Sequence, residues 1–260
     1  MRHGFIKTAA VTPKVQVADP EANAQEIIRL AAEAAGNGAK LIVFPELCIT
    51  GYTCGDLFLQ ELLLRRAKEE LFRIIRETAQ LDALIFAGLP WEKDGKLYNV
   101  AAAFQGGRLL GLVPKTCLPN YGEFYELRHF ARGNKEADDV WVDLGDGEGD
   151  YIPFGTKLLF TCESLPGLAV AAEICEDVWV PDPPSIRHAL AGATVIVNCS
   201  ASDETTGKDG YREALISGQS ARLVCGYIYA NAGEGESSQD LVFGGHNLIA
   251  ENGKILSRSA

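Results

Sequence analysis

Apolar residues recur along this chain in two rhythms, and the two alternate. Some stretches repeat near every 3.6 residues, and others are short continuous runs. Residues 5–17 alternate well enough to predict a first strand, interrupted near Pro13. Asp19-Pro20 has the form of a helix start, with Asp as N-cap and Pro at the first helical position. Ile27, Leu30, Ala31 and Ala34 then share one face, and Gly36-Asn37-Gly38 stops the run. Leu41 to Phe44 reads as a short buried strand. A second helix is expected over 57–80, striped by Leu64, Ala67, Leu71, Ile74, Ile75 and Thr78. Another apolar strand covers 83–88. Asp94-Gly95 and Gly106-Gly107 are tight-turn signals that divide 84–91, 97–104 and 108–113 into a meander.

Residues 116–150 read as loop. They hold an aromatic and acidic cluster, Tyr121-Gly122-Glu123-Phe124-Tyr125-Glu126, and a Gly/Asp-rich section, 145–150. A strand pair is expected over 152–161. Leu168 to Ala172, set off by Pro166-Gly167, predicts a buried strand that delivers Cys175 at its end, among Glu173, Glu176 and Asp177. Pro183-Pro184 starts a helix through Leu190. Thr194 to Val197 is a strand ending in Asn198-Cys199-Ser200, followed by a polar loop over 202–210 and a helix over 211–224. Strands over 226–230 and 241–250 precede an Asn252-Gly253 hairpin to Ile255-Leu256. Strands alternating with helices, with hairpins inserted, predict an α/β domain whose mixed sheet is flanked by helices. No linker or repeat divides residues 1–260, so one domain is expected. Its end just after a hairpin, with no closing helix, reads as a piece of something longer.

Composition narrows the classes. An apolar fraction of 47% suffices for a sizeable core. A net charge of −11 without a basic run argues against a nucleic-acid partner. No run of about 18 apolar residues predicts a membrane span, and the N-terminus enters its strand pattern without a signal-like apolar region. Seven cysteines, an odd number without a secretory signal or a Cys-x-x-Cys, argue for reduced thiols in a cytoplasmic compartment. The four histidines, 3, 129, 188 and 246, have no zinc spacing, so no metal is expected, and His3, His129 and His188 read as surface residues.

Glu46, Lys115 and Cys175 each follow a buried strand, and neighbouring strands would bring them together. A thiol with an ordinary pKa near ~8.5 needs a base to become a thiolate at neutral pH. A carboxylate can take that proton and return it to a leaving amine, and a fixed ammonium can hold the oxyanion. Together they suit acyl transfer from an amide through a thioester. Each also has a bland reading: a structural cysteine, a loop carboxylate, a solvated lysine. Cys199 also ends an apolar strand and is a rival nucleophile. Cys48, Cys54, Cys117, Cys162 and Cys225 read as structural.

Phe44-Pro45-Glu46-Leu47, Pro114-Lys115-Thr116 and Glu173-Ile174-Cys175-Glu176-Asp177 resemble, in order, the three catalytic blocks of the nitrilase, or carbon–nitrogen hydrolase, superfamily. Within it, Gly51-Tyr52-Thr53-Cys54-Gly55-Asp56-Leu57-Phe58, Leu118-Pro119-Asn120-Tyr121-Gly122-Glu123-Phe124-Tyr125-Glu126 and Ile174-Cys175-Glu176-Asp177-Val178-Trp179 look like the glutaminase domain of glutamine-dependent NAD synthetases. The resemblance implies a four-layer α-β-β-α sandwich. It implies Glu46 as general base, Lys115 as oxyanion stabiliser and Cys175 as nucleophile, hydrolysing glutamine to glutamate and ammonia. It further implies that Glu126, with Glu123 as competitor, is a second active-site glutamate. Tyr52, Tyr121, Phe124 and Trp179 would wall the substrate beside Glu176, while Ser202 and Lys208 would receive its α-carboxylate. The ammonia would pass to a synthetase domain of the same longer chain, where ATP and nicotinic acid adenine dinucleotide bind. No cofactor is implied for residues 1–260, which lack an ATP-pyrophosphatase loop; Ser217-Gly218-Gln219-Ser220 falls inside a predicted helix. A homo-oligomer is the family's usual state. The alternatives are a stand-alone amidase or nitrilase acting on another small amide or nitrile, and a non-catalytic scaffold that binds a partner.

Overall fold

Asp19 caps the first helix as its short acceptor side chain allows. In the computed structural model, which describes residues 4–134, 137–143 and 149–259, its Oδ1 accepts from the Ala22 amide at 3.1 Å. Helix α1, Pro20–Gly36, buries Ala24, Ile27 and Ala31, and α2, Glu61–Glu77, packs beside it. Both cover the outer face of a seven-stranded sheet in the order β1-β2-β3-β4-β5-β7-β6. Its strands are β1 Thr8–Ala10, β2 Leu41–Val43, β3 Leu84–Lys93, β4 Lys96–Gln105, β5 Arg108–Pro114, β6 Asp138–Asp143 and β7 Gly149–Phe154. A short helix α3, Glu126–His129, lies between β5 and β6.

The second sheet runs β13-β12-β11-β10-β9-β8. Its members are β8 Phe160–Cys162, β9 Leu165–Ile174, β10 Val195–Ser200, β11 Gly226–Asn231, β12 Leu248–Glu251 and β13 Lys254–Arg258. Helices α4, Pro184–Leu190, and α5, Lys208–Leu223, cover its outer face. The period of two in each strand sorts the core. Leu41 and Val43 face Val170, Ala172, Val197 and Ile228 between the sheets, while Ile42 and Ala171 point outward to the helices. The layers are therefore helix, sheet, sheet, helix, as expected.

Several boundaries differ for local reasons. The helix expected over 57–80 begins only at Glu61. Before it, Tyr52–Leu59 is a kinked 3-10 segment, broken at Gly55, whose φ of 54° is left-handed. Leu63 takes the buried position and Leu64 only a half-buried one. The first strand shrinks to Thr8–Ala10 because its continuation crosses to the other sheet: Thr12 Oγ1 donates to the Asn231 carbonyl at 2.8 Å, and Val15 N to that of Glu234 at 3.0 Å. The strand expected over 241–250 starts only at Leu248; Gly245, at φ 66°, gives its amide to the Ala232 carbonyl instead.

Residues 152–161 do not form a pair. β7 joins β5 and β6 in one sheet, and β8 joins β9 in the other, so the chain changes sheets between them. β6 lies within the stretch expected as loop. β9 extends through Pro166-Gly167, beside the register shift at Thr161/Cys162 where a missing N–H is tolerated. His188 is buried, its Nε2 donating to the Thr156 carbonyl at 2.7 Å, and the His129 side chain is 8% exposed, so neither is a surface residue. His3 and positions 145–148 of the Gly/Asp-rich section lie outside the described residues.

Candidate active site

The three strand ends meet, though not as neighbours. β2 and β5 are separated by β3 and β4 in one sheet, and β9 lies in the other. Glu46, Lys115 and Cys175 converge across the sandwich, where all three are buried.

Glu46 is held from both sheets. Its Oε2 accepts from the Ala201 amide at 3.0 Å, just past β10, and its Oε1 from Asn99 Nδ2 of β4 at 2.6 Å. Its backbone crosses directly over Gly88: a Cβ built there would lie 2.2 Å from Leu47 N and 2.6 Å from the Pro45 carbonyl. Only glycine admits that approach.

Lys115 Nζ lies 2.6 Å from Glu46 Oε1 and 2.6 Å from Glu126 Oε1. Burial pulls this ammonium down, but the Glu126 and Glu46 carboxylates outweigh it and hold it well above the usual lysine range. Burial pushes the Glu126 carboxyl up against the pull of Lys115. Tyr52 donates to Glu126 Oε1 at 2.8 Å, so it anchors this carboxylate as well as walling the site. Glu126 Oε2 is buried without a partner among the described residues, and Glu126 lines an open cleft with Tyr52 and Phe124. Glu123 lines that cleft without reaching Lys115, which separates the two candidate glutamates.

Cys175 sits in a sharp elbow. Its φ is +40°, a left-handed value rare for a side chain bearing Cβ, and its amide donates to Asn198 Oδ1 at 2.9 Å. Asp177 fixes the turn: one buried carboxylate accepts from the amides of Ile174 at 3.0 Å, Cys117 at 2.7 Å and Thr116 at 3.2 Å. It thereby ties the end of β9 to the residues after Lys115. Burial pushes the Asp177 carboxyl up to about 6 despite those bonds. Burial likewise pushes the Cys175 thiol up, the Glu46 charge adds to this, and the Lys115 ammonium and the Ser200 hydroxyl oppose it. The resting sulfur is thus a thiol within the field of a carboxylate and an ammonium. That combination can pass a proton from sulfur to carboxylate as the ammonium receives a developing oxyanion.

The rim carries the remaining expected residues. Tyr121 is exposed and donates to Glu176 Oε1 at 2.9 Å. Trp179 stacks on Tyr211 with centroids 5.5 Å apart. Lys208 Nζ lies 5.5 Å from the Trp179 ring and 5.9 Å from that of Phe124, and pairs with Asp203. It opens α5 and is not part of the loop. Ser202 is buried and turned inward, its hydroxyl accepting from Arg212 Nη2 at 3.3 Å.

Sequence reasoning missed Gly88, Asn99, Asp177, Asn198 and Arg212. Two signals were present: a glycine inside an apolar strand, and a single amide set in an otherwise apolar stretch, Asn99 before Val100 to Phe104 and Asn198 after Val195 to Val197. Nothing local marks Arg212. Among the described residues no group of His, Cys, Asp and Glu is arranged to hold a metal ion, and no helix is long and apolar enough to cross a membrane.

The carbon–nitrogen hydrolase family model matches residues 7–259. Glutamine-dependent NAD(+) synthetase of Mycobacterium tuberculosis is 42% identical over 258 residues, 99% of this chain but 37% of that protein. The chain therefore spans a little over a third of the length of such relatives. A crystal structure of glutamine-dependent NAD(+) synthetase from Cytophaga hutchinsonii superposes with a TM-score of 0.85 at 31% identity, covering 97% of this chain and 40% of that one. An amidase from Nesterenkonia sp., at 20% identity and a TM-score of 0.75, shares the fold over 100% of this chain and 88% of its own.

Proposed function

This chain belongs to the carbon–nitrogen hydrolase family, and from that premise we propose that it hydrolyses the side-chain amide of glutamine to glutamate and ammonia. The observation that carries the reading is the buried meeting of Glu46, Lys115 and Glu126, with Lys115 Nζ 2.6 Å from each carboxylate, beside the Cys175 thiol. In the proposed reaction Glu46 takes the thiol proton and sulfur adds to the amide carbon. Lys115 steadies the oxyanion, the C–N bond breaks, and ammonia leaves with a proton returned by Glu46. Water then adds to the γ-glutamyl thioester, the C–S bond breaks, and glutamate and the free thiol are released. Glu126 orients Lys115.

The rim favours glutamine over an unsubstituted amide. Lys208 lies against the Phe124 ring, and Tyr121, whose ring also meets Phe124, holds Glu176, so this rim offers a cation and an anion complementary to the carboxylate and ammonium of an α-amino acid. Tyr121, Phe124 and Trp179 supply the apolar wall. The ammonia would serve a synthetase domain on the same longer chain, which would bind ATP and nicotinic acid adenine dinucleotide; residues 1–260 would use no cofactor or metal. Cytoplasmic location and pairing of subunits belong to the same proposal.

The test is direct. Purified protein given glutamine should release glutamate and ammonia in equal amounts, and quenching during turnover should trap a γ-glutamyl adduct on Cys175 by peptide mass spectrometry. Faster turnover of short aliphatic amides than of glutamine would favour the stand-alone amidase. No adduct and no turnover, with the synthetase part also present, would leave a non-catalytic scaffold.

A further inference from the structure

A fully buried guanidinium lies beneath the rim, in a place the reaction does not require. Arg212 is on α5, one turn after Lys208, and is wholly inaccessible to solvent. Its Nη2 donates to Ser202 Oγ at 3.3 Å and to the Asp203 carbonyl at 3.1 Å; its Nη1 donates to Glu204 Oε1 at 2.9 Å. Three consecutive loop residues thus hang on one planar fork. Nη1 also donates to His246 Nδ1 at 2.9 Å, which puts the proton of that ring on Nε2, facing Glu213 at 3.6 Å. Arginine suits this task because its donors diverge in a fixed plane. The middle residue of the three, Asp203, holds Lys208, the cation between the Phe124 and Trp179 rings.

We propose that Arg212 is a positioning residue for substrate selection: by fixing residues 202–204 it holds Lys208 where the carboxylate of an amino-acid amide arrives, and it contributes nothing to the amide chemistry itself. This rests on the glutaminase reading above. Burying a guanidinium is costly, and a buried ion pair replaced whole by apolar side chains of like volume often folds as well or better. A selective role accounts for the charge where stability does not.

The experiment compares two electrophiles at Cys175 in the protein at its full natural length. A diazoketone analogue of glutamine carries the amino and carboxylate groups; the thiolate forms a C–S bond as its protonated diazo carbon loses dinitrogen. Iodoacetamide is a neutral amide; the same sulfur displaces iodide. Alkylation rates are read by intact mass. Arg212→Met should slow the diazoketone by about 10- to 100-fold, the worth of hydrogen bonds to a charged group, and leave the iodoacetamide rate within about twofold. Arg212→Lys, the milder change if Arg212→Met does not fold, should fall between Arg212→Met and wild type. Equal slowing with both reagents, or with neither, overturns the inference and leaves the glutaminase reading standing. A wild-type protein that shows no preference for the diazoketone overturns both.

Discussion

Two cysteines stand near the C-terminal ends of adjacent parallel strands, and they differ in almost everything that matters to a sulfur atom. Cys199 on β10 is the register partner of Ile174 on β9, and Cys175 comes one residue later. Cys199 is still inside its strand, pointed into the apolar layer between the sheets with no solvent exposure. Burial is the main cause pushing its thiol far up, with smaller contributions of the same sign from Cys48 and Glu46. Cys175 is past the end of its strand, turned by a left-handed φ and pinned by Asn198 and Asp177. Burial also raises its thiol, but here an ammonium and a hydroxyl oppose the rise. Placement at a strand end does not make a nucleophile. On the proposed reaction, an elbow that turns the sulfur toward opposed charges does.

The sharpest way to break this comparison is to remove each sulfur. Cys175→Ala should lower glutamine hydrolysis by at least about 10³-fold, the scale of losing a covalent nucleophile, with little change in thermal midpoint. Cys199→Ala should keep hydrolysis within a few fold and cost about 1–2 kcal/mol in urea unfolding, as a small cavity between the sheets would. The reverse pattern would transfer the nucleophile to Cys199.

The charges come next. Lys115→Met should cost about 10²–10³ in kcat, the worth of one fixed oxyanion donor. It also strands two buried carboxylates, so unfolding should be easier by about 3–5 kcal/mol. Steady-state kinetics with glutamine and a denaturation curve measure both. Unchanged kcat would show that the opposed charges around Cys175 are not what distinguishes it from Cys199.

Much of this was legible in the sequence because the signals are local. Pro and Gly punctuation, the Asp19 cap and the two hairpin turns fixed the meander and α1. Glu46, Lys115 and Cys175 were visible as polar residues closing apolar runs. What brings them together was not visible. Whether β2 and β5 neighbour β9 depends on which strands share a sheet, and that follows from packing across the whole sandwich. The same limit hid the crossing between β7 and β8 and the buried Arg212, whose partners come from residues 202–204 and from His246. Gly88 is the intermediate case: its place in an apolar strand hinted at a close approach, but not to Glu46.

Gly88→Ala therefore tests the first sheet's side of the comparison. The added methyl would meet Leu47 N at 2.2 Å and the carbonyl carbon of Glu46 at 2.7 Å, so the backbone that carries Glu46, the proposed base, must shift. Overpacking of this kind costs about 1–3 kcal/mol, and a displaced base should cost about tenfold or more in kcat. KM should change little, because the Lys208 and Glu176 rim is on other elements. Full activity in Gly88→Ala would mean that the position of Glu46 tolerates more freedom than its two-sheet anchoring implies.

The smallest effect concerns a carboxylate near Cys175 in sequence that does no chemistry in this reading. Glu173 is the outward-facing residue just before the elbow; it accepts from the Ser185 amide at 2.8 Å and from the Tyr227 hydroxyl. Burial pushes its carboxyl up to about 7, against those two bonds. Between the ordinary glutamate pKa of about 4.3 and that value, the folded protein binds a proton that the unfolded chain has released. The stabilisation from this group is thus full below the unfolded pKa and lost as pH rises through the folded one. Stability should fall over that window with a slope of at most ~1.4 kcal/mol per pH unit from this residue. Glu173→Gln should flatten the decline without abolishing it, because Asp177, raised to about 6, contributes with the same sign. Hydrolysis per folded molecule should stay close to wild type. Urea midpoints across that pH range, set beside activity at each pH, separate the roles. If Glu173→Gln instead moved the pH profile of kcat, the chemistry of the elbow would extend one residue behind Ile174, and Cys175 would differ from Cys199 through Glu173 as well as Glu46 and Lys115.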